Sequence, residues 1–406
     1  MTQRHDGTLL VVAFTCEPNL GSEYEVGWRW SLSAGKAFRS VIVFTRRASL
    51  SRIPGEPDMF ECWPARRLDN ILFVGIDLPF ADRLRGRTLM RTHYALWQLL
   101  LLAFLKVSNI SVAIVHHVAF VAIWMPPLAS LVRVPFVWGP IGTNKPTPRW
   151  YARMRFSSWA RYLVTQWLPK ISLLGRLAQK KASCLLPINA HVQSLLSSTG
   201  KAKSKITPAI RIPKDLIANN YVSFSSRMRR VIFVGRAIES KLPLLGNDVG
   251  RRILELDASA EFWMIGEGLN KTIPRPIPDR MRVMEHITQS EVWKIMSESM
   301  VMLFPSVEGS GFVVLEAMAL GLPIVCLEGT GPAAFIGSDG GISCPSGPNY
   351  GYVQNRLEEA VIRLLSDKVL WERLSAGARI RANEFTWEGF EKFLYDLYHE
   401  VILEAS

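Results

Sequence analysis

Cysteine is scarce in this chain and follows no pattern. Cys16, Cys62, Cys184, Cys326 and Cys344 are odd in number, widely scattered and form no C-x-x-C pair. That excludes a disulfide framework or a structural zinc and fits a reducing compartment. The opening residues Met1-Thr-Gln-Arg-His-Asp-Gly7 hold no apolar region, so no signal peptide is expected. The most apolar run, Ala95 to Leu105, falls far short of the ~20 residues needed to cross a bilayer. Val107 to Val137 is longer, but His116, His117, Pro126, Pro127 and Arg133 interrupt it, and it reads as buried strand–helix–strand. No Asp-x-Asp occurs, so a bridging Mg²⁺ has no obvious ligands; neither a metal site nor a cofactor is expected. Helix-turn-helix, zinc-finger and RNP patterns are absent, which argues against nucleic acid as a partner. There is no internal repeat and no low-complexity tract.

What the chain does contain is a globular composition, 49% hydrophobic and 20% charged, over 406 residues. That length fits two domains of roughly 150–200 residues. In the first half, Leu9–Thr15, Val41–Thr45, Ile71–Gly75, Val112–His116 and Pro135–Trp138 are compact apolar runs of strand length. Segments near Tyr24–Lys36, Arg91–Lys106 and Ala119–Leu131 suit helices. The alternation predicts an α/β doubly wound domain with a parallel sheet. After the basic, Ser-rich stretch Ser223 to Arg230 the pattern restarts, with strands expected at Val231–Gly235, Glu261–Ile265, Arg282–Glu285, Val301–Phe304 and Ile324–Leu327. Thr288-Gln-Ser-Glu291 is a capping box opening a helix, and further helices are expected at Gln354–Leu365, Asp367–Glu384 and Thr386–Val401. The expected fold is therefore α/β, with two Rossmann-like domains meeting at a cleft. Their bounds are 1–225, 226–385, and a terminal helix over 386–406 that crosses back to the first domain.

The richest segment is Phe304-Pro-Ser-Val-Glu-Gly-Ser-Gly-Phe-Val-Val-Leu-Glu-Ala-Met-Ala-Leu-Gly-Leu-Pro323. A strand ends at Phe304, a loop runs to Gly311, and a helix starts near Phe312 or Val313. The first backbone N–H groups of such a helix and the positive end of its dipole suit a diphosphate. Glu308 lies in the loop and Glu316 in the helix, flanked by Val314, Leu315, Ala317 and Met318. A carboxylate in that setting needs a partner, and a ribose diol would serve. An incidental glutamate on an amphipathic helix is the alternative. A second element is Val231-Ile-Phe-Val-Gly-Arg236 with Lys241, where two cations follow a strand end at Gly235 and could stabilise charge on a departing diphosphate. The alternative is a surface turn.

The paired glutamates followed by Ala-Met-Ala-x-Gly-x-Pro resemble the signature of glycosyltransferase family 4, retaining enzymes of the GT-B fold. The resemblance implies that Glu316 grips the ribose and Glu308 faces the donor sugar. It implies that Ser310, Gly311, Phe312 and Val313 line the donor site, and that Arg236 and Lys241 bind phosphate. Ser310 stands where the family commonly has an aromatic residue, and Leu242 stands where a glycine often follows the lysine. Gly266-Glu267-Gly268 fits the family's nucleotide-side loop, giving Glu267. Gly331-Pro332 reads equally as a ligand loop and as an ordinary turn.

In the first half, Cys16 to Trp28 resembles a Gly-rich β1–α1 loop of one subgroup, which makes Gly21 and Ser22 donors of N–H groups to the phosphate. Glu23 and Glu25 read equally as a solvated helix start. His116 and His117 close the strand that starts at Val112; the family often keeps a histidine there on the donor sugar, and both are candidates. Gly139-Pro-Ile-Gly142 matches the family's next loop, with Thr143 in place of a second glycine. Ile206-Thr-Pro-Ala-Ile210 stands where many members have Pro-Asn-Gly.

Three explanations compete for the net charge of +13: nucleic acid, an anionic membrane surface, and plain solubility. Arg83-Leu-Arg-Gly-Arg87 with Arg91 precedes an apolar run. Arg149, Trp150, Arg153, Arg155, Trp159 and Trp167 form a basic, aromatic segment whose chemistry is that of a membrane interface. Core packing of the aromatics is the alternative. Taken with the resemblance, these residues imply a metal-independent, retaining hexosyltransferase. Its partners would be a nucleotide-diphosphate sugar, a lipid-linked or oligosaccharide acceptor, and an anionic membrane surface on the cytoplasmic face of the inner membrane, in polysaccharide biosynthesis. Two other readings stay open: an inactive, membrane-associated assembly partner, and a nucleotide-sugar epimerase or phosphorylase.

Overall fold

The computed structural model describes residues 4–84, 89–108, 110–145, 148, 167, 172–218 and 223–405. They divide into two compact units, Met1–Thr143 with Ala160–Ala209 and Gly389–Ser406, and Asn144–Trp159 with Ile210–Glu388. All five cysteines are free.

The first unit is built on an eight-stranded sheet of β1 (His5–Ala13), β2 (Phe38–Thr45), β3 (Glu56–Phe60), β4 (Trp63–Leu68), β5 (Ile71–Gly75), β6 (Ile114–Ala119), β7 (Phe136–Ile141) and β8 (Cys184–Pro187). Their order is β3-β4-β5-β2-β1-β6-β7-β8. Six strands run parallel; β3 and β4 form an antiparallel hairpin at one edge. Leu9 to Ala13 are fully buried, the continuous apolar run expected of a strand covered on both faces. Helices α1 (Ser22–Ala37) and α2 (Met90–Val107) follow β1 and precede β6. A third helix, α3 (Leu173–Lys181), is capped by Ser172, whose hydroxyl accepts from the Gly175 amide at 3.1 Å.

Two expectations fail here, and three strands were not foreseen. Ala119–Leu131 is not a helix: Ala119 belongs to β6, Pro126 and Pro127 interrupt the chain, and only a 3-10 turn at Leu128–Leu131 forms. β6 starts at Ile114 and runs on to Ala119, so His116 and His117 lie inside the strand rather than closing it. β3, β4 and β8 had no signal of their own, since the hairpin is half exposed and β8 is only four residues long.

The second unit carries a six-stranded parallel sheet of β9 (Met228–Val234), β10 (Glu261–Ile265), β11 (Met281–Met284), β12 (Ser299–Phe304), β13 (Ile324–Leu327) and β14 (Gly341–Cys344). The order is β11-β10-β9-β12-β13-β14. The chain winds outward from β9 to β11, then returns to lay β12 on the other side of β9. The point of reversal therefore lies between β9 and β12, where open α/β sheets bind ligands at their carboxyl ends. Helix α4 (Pro243–Leu256) has proline in its first turn, where no N–H is needed. Helix α5 (Gln289–Glu298) has its capping box formed between Thr288 and Glu291. Helix α6 (Phe312–Ala319) follows β12. Two long helices, Tyr350–Ser366 and Lys368–Asn383, complete this unit's core, with Val353, Leu357, Val361, Leu364 and Leu374 buried among the sheet's apolar residues.

The last helix, α7 (Trp387–Leu403), contributes Phe390, Leu394, Leu397 and Tyr398 to the core of the first unit. There Phe390 packs edge-on to Trp30, and Tyr395 stacks on His5 with centroids 4.4 Å apart.

Candidate active site

At the reversal point of the second sheet, the residues after β9 and after β12 converge. β9 ends at Val234. Gly235 follows, and a Cβ there would collide with the Lys241 side chain, so glycine is what lets the lysine lie across the strand end. Lys241 donates from Nζ to Glu308 Oε2 at 2.9 Å, and its ammonium stands 4.7 Å from the Phe304 ring centroid. Both partners are mostly buried, with side-chain exposures of 12% and 17%, so solvent screens the pair weakly. Leu242, directly after Lys241, is fully buried with φ 49°, in the left-handed region. Arg236 is exposed.

The Glu308 loop is fixed from several sides. The Glu308 amide donates to Ser306 Oγ at 3.1 Å, and its carbonyl accepts from the Gly331 amide at 2.8 Å. A Cβ on Gly331 would collide with the backbone of Gly309, so that glycine supports the loop by close packing. Thr330 caps the short helix beyond it. Between Glu308 and α6, the Ser310 hydroxyl is buried with no hydrogen-bond partner, a cost a native site seldom leaves uncompensated. Gly311 is the N-cap of α6, whose first amides at Phe312 and Val313 have no acceptor one turn earlier in the helix.

Glu316 lies at the fifth position of α6. Its carboxylate accepts from Gln289 Nε2 at 2.6 Å. Burial raises its pKa, and the Gln289 bond opposes the rise. An ionised carboxylate accepts several bonds, so the Gln289 contact leaves capacity for a diol.

The Gly266–Gly268 turn packs on the same strand ends. Ala237 donates its amide to the Glu267 carbonyl at 2.8 Å, while the Glu267 side chain is exposed. A Cβ on Gly266 would collide with the Gly235 carbonyl.

Gln289, Asn144 and Lys145 went unnoticed in sequence. Asn144 Oδ1 accepts from the Gly309 amide at 3.3 Å, and the Lys145 amide donates to the Val307 carbonyl at 3.1 Å. The Lys145 ammonium occupies the space where a Cβ of Gly329 would stand, and Gly329 itself has φ +66°. Burial lowers the Lys145 pKa. The one available signal for Gln289 was its place in the first turn of a capped helix. Nothing local marks Asn144 or Lys145, because long-range contacts alone bring them to this loop.

In the first unit, Gly21 caps α1 at φ 63°, with open space around the position of a Cβ. Ser22 begins α1. Gly27 serves packing, since a Cβ there would collide with the Thr15 carbonyl. Glu25 is a local clamp, accepting from the Asn19 amide and Arg29 Nε at 2.7 Å each. Glu23 differs from a solvated helix start: burial pushes its pKa up to about 7 against a Val121 backbone hydrogen bond and the Arg91 charge.

The two histidines also separate. His116 is fully buried, with Nδ1 2.7 Å from the Tyr398 hydroxyl and Nε2 2.8 Å from the Gly139 carbonyl. Both ring nitrogens are thus taken by the fold, and burial pushes its pKa down to about 4. His117 Nε2 pairs with the Tyr94 hydroxyl at 2.9 Å, while its Nδ1 is buried without a partner. Burial, helped by His116, lowers the His117 pKa to about 3, so both rings are neutral at physiological pH.

Arg149, Trp150, Arg153, Arg155 and Trp159 lie outside the described residues. Trp167 is 57% exposed. Among the described residues, no three His, Cys, Asp or Glu side chains converge as a metal site.

Residues 228–367 match the protein family described as "Glycosyl transferases group 1". The second unit carries a glycosyl transferases group 1 domain. That domain contains β9 to β14 and every second-unit site residue named above except Asn144 and Lys145. No curated protein matches the chain. Among solved structures it is similar to sucrose-phosphate synthase from Thermosynechococcus elongatus, with 15% identity, 98% of this chain and 100% of the other covered, and a TM-score of 0.63. It is similar to an alpha,alpha-trehalose-phosphate synthase (UDP-forming) from Burkholderia vietnamiensis, with 13% identity, 97% of each chain covered and a TM-score of 0.66. It is also similar to Anabaena HepE in complex with UDP and glucose, with 13% identity, 97% and 100% covered and a TM-score of 0.59. At such identities the likeness is one of fold: two parallel-sheet α/β domains of the GT-B glycosyltransferase kind.

Proposed function

We propose that this chain is a retaining, metal-independent hexosyltransferase. It would move a sugar from a nucleoside diphosphate to a lipid-linked saccharide or other glycan acceptor, in cell-surface polysaccharide synthesis. The observation that carries the reading is the Lys241–Glu308 pair at the reversal point of the glycosyl transferases group 1 domain.

Glu316 accepts hydrogen bonds from the ribose hydroxyls beside Gln289. The diphosphate takes the N–H groups at the start of α6 and the charges of Arg236 and Lys241, with Gly21 and Ser22 as further N–H donors. Lys145 adds a third cation near the Gly329 turn. Glu308, held by Lys241, and the unpaired Ser310 hydroxyl face the sugar, and His117 Nδ1 is a further polar atom for it. Glu267 borders the nucleotide side.

In the reaction the acceptor oxygen bonds to the anomeric carbon on the face from which the phosphate oxygen leaves. The acceptor proton passes to that departing oxygen, and the nucleoside diphosphate is released. Negative charge grows on the diphosphate as the bond breaks, and fixed cations in a partly buried site oppose it strongly. The first unit binds the acceptor, and its basic surface holds the protein at the cytoplasmic face of an anionic membrane.

Thermal stability with UDP, GDP, ADP, dTDP and CMP is the test. UDP comes first, because HepE is described with UDP and glucose. A ligand at ~100 times its Kd adds roughly 2.7 kcal/mol, a shift of several degrees. Stabilisation of the wild type but not of Glu316→Ala supports the reading. No stabilisation by any of the five would favour an inactive assembly partner.

A further inference from the structure

We infer that helix α3 is a membrane-docking element that inserts Leu173, Leu174 and Leu177 into an anionic bilayer surface. This rests on the peripheral attachment proposed above and names the element that makes it.

The charge of the chain is distributed in a way that composition alone hides. Residues 83–214 hold 20 Lys and Arg and no Asp or Glu. The rest of the chain carries the other 28 Lys and Arg against all 35 Asp and Glu, and is net acidic. The whole positive excess therefore belongs to the part of the chain that contains α3.

The helix presents the opposite of a normal surface pattern. Leu173 is 81% exposed, Leu174 54% and Leu177 38%. At about 100° per residue these three leucines span one side of the helix, flanked by Arg176, Lys180 and Lys181. The buried side is the small and polar one, Gly175, Ala178 and Gln179. Gln179 Oε1 accepts from both the amide and the hydroxyl of Ser197 at 2.8 Å, which fixes the rotation of the helix. The leucines thus point outward because the other face is tied down.

An apolar stripe with Arg176, Lys180 and Lys181 on the same side of the helix matches a bilayer surface: leucines enter the acyl boundary and cationic groups meet phosphate headgroups. Among the described residues no helix is long and apolar enough to cross a membrane. A nucleic acid would use the cations but leave the leucines exposed.

The test is flotation of the full chain with vesicles of phosphatidylcholine and phosphatidylglycerol at low salt, comparing wild type with a Leu173→Gln, Leu174→Gln, Leu177→Gln variant. All three side chains are exposed, so the variant keeps its fold, checked by an unchanged melting temperature. The expected result is flotation of the wild type and at least about a tenfold weaker partitioning of the variant. Equal flotation of both would overturn the role of α3 while leaving peripheral attachment intact. Failure of the wild type to float would overturn attachment itself and this inference with it. Binding of a single-stranded oligonucleotide by both proteins, without flotation, would put nucleic acid in place of the bilayer and overturn the inference as well.

Discussion

The ammonium of Lys241 and the carboxylate of Glu308, 67 residues apart in the chain, meet at 2.9 Å where the second sheet reverses its order. Each holds the other in place. Their roles are therefore coupled, and removing either leaves a mostly buried charge without its partner. Lys241→Ala and Glu308→Ala are each expected to lower kcat by about 10²–10³. The double variant should be little worse than the poorer single, because the pair acts as one unit. Steady-state kinetics of the three variants decide this, and simple multiplication of the two losses would show that the residues act independently.

Leu242 follows Lys241 in a left-handed conformation, which costs a non-glycine residue about 1–2 kcal/mol. Replacing it with glycine relieves that strain but removes a fully buried side chain, a loss of about 2–5 kcal/mol. The larger effect should win. Urea unfolding is expected to show Leu242→Gly destabilised by roughly 1–3 kcal/mol. A more stable variant would mean that the strain outweighs the packing.

Gly331 is expected to matter through the Glu308 loop rather than through a ligand. Alanine there would push against the backbone of Gly309 and break the amide bond to the Glu308 carbonyl. Gly331→Ala should lose about 1–3 kcal/mol of stability and most of its transfer activity. Activity at the wild-type level, measured well below the melting temperature, would count against that support.

Burial raises the Glu23 pKa to about 7 from its ordinary value of 4.5. Between those values the folded protein keeps a proton that the unfolded chain has lost, so this group's stabilising contribution is full below about pH 4.5 and is lost as pH rises through 7. Glu23→Gln should flatten that part of the stability–pH curve and be more stable than the wild type at pH 8. Melting temperatures from pH 5 to 8 give the comparison, and parallel curves for the two proteins would mean that Glu23 titrates as an ordinary surface carboxylate.

Much of this architecture is written locally. The buried runs of β9, β10, β12 and β13, the Thr288–Glu291 capping box and the start of α6 follow from apolar run length and cap chemistry, which act over a few residues. The β3–β4 hairpin and the broken segment after Ala119 were not legible, because edge strands carry weak patterns and the prolines there permit several paths. In the candidate site, the residue types at Arg236, Lys241, Glu308 and Glu316 point by themselves to anion and diol chemistry.

Sequence by itself determined which residue types stand at the strand ends and loops and where most of the buried strands and capped helices lie, since charge, hydrogen-bonding capacity and periodicity are properties of neighbours. Only the tertiary structure decided who meets whom. It gave Glu308 to Lys241 and Glu316 to Gln289, and it brought Lys145 to the Gly329 turn. It closed both nitrogens of His116 with Tyr398 and Gly139 while leaving one on His117 unpaired, and it turned the leucines of α3 outward. Those pairings depend on contacts between residues far apart in the chain, and packing of the whole unit is what fixes them.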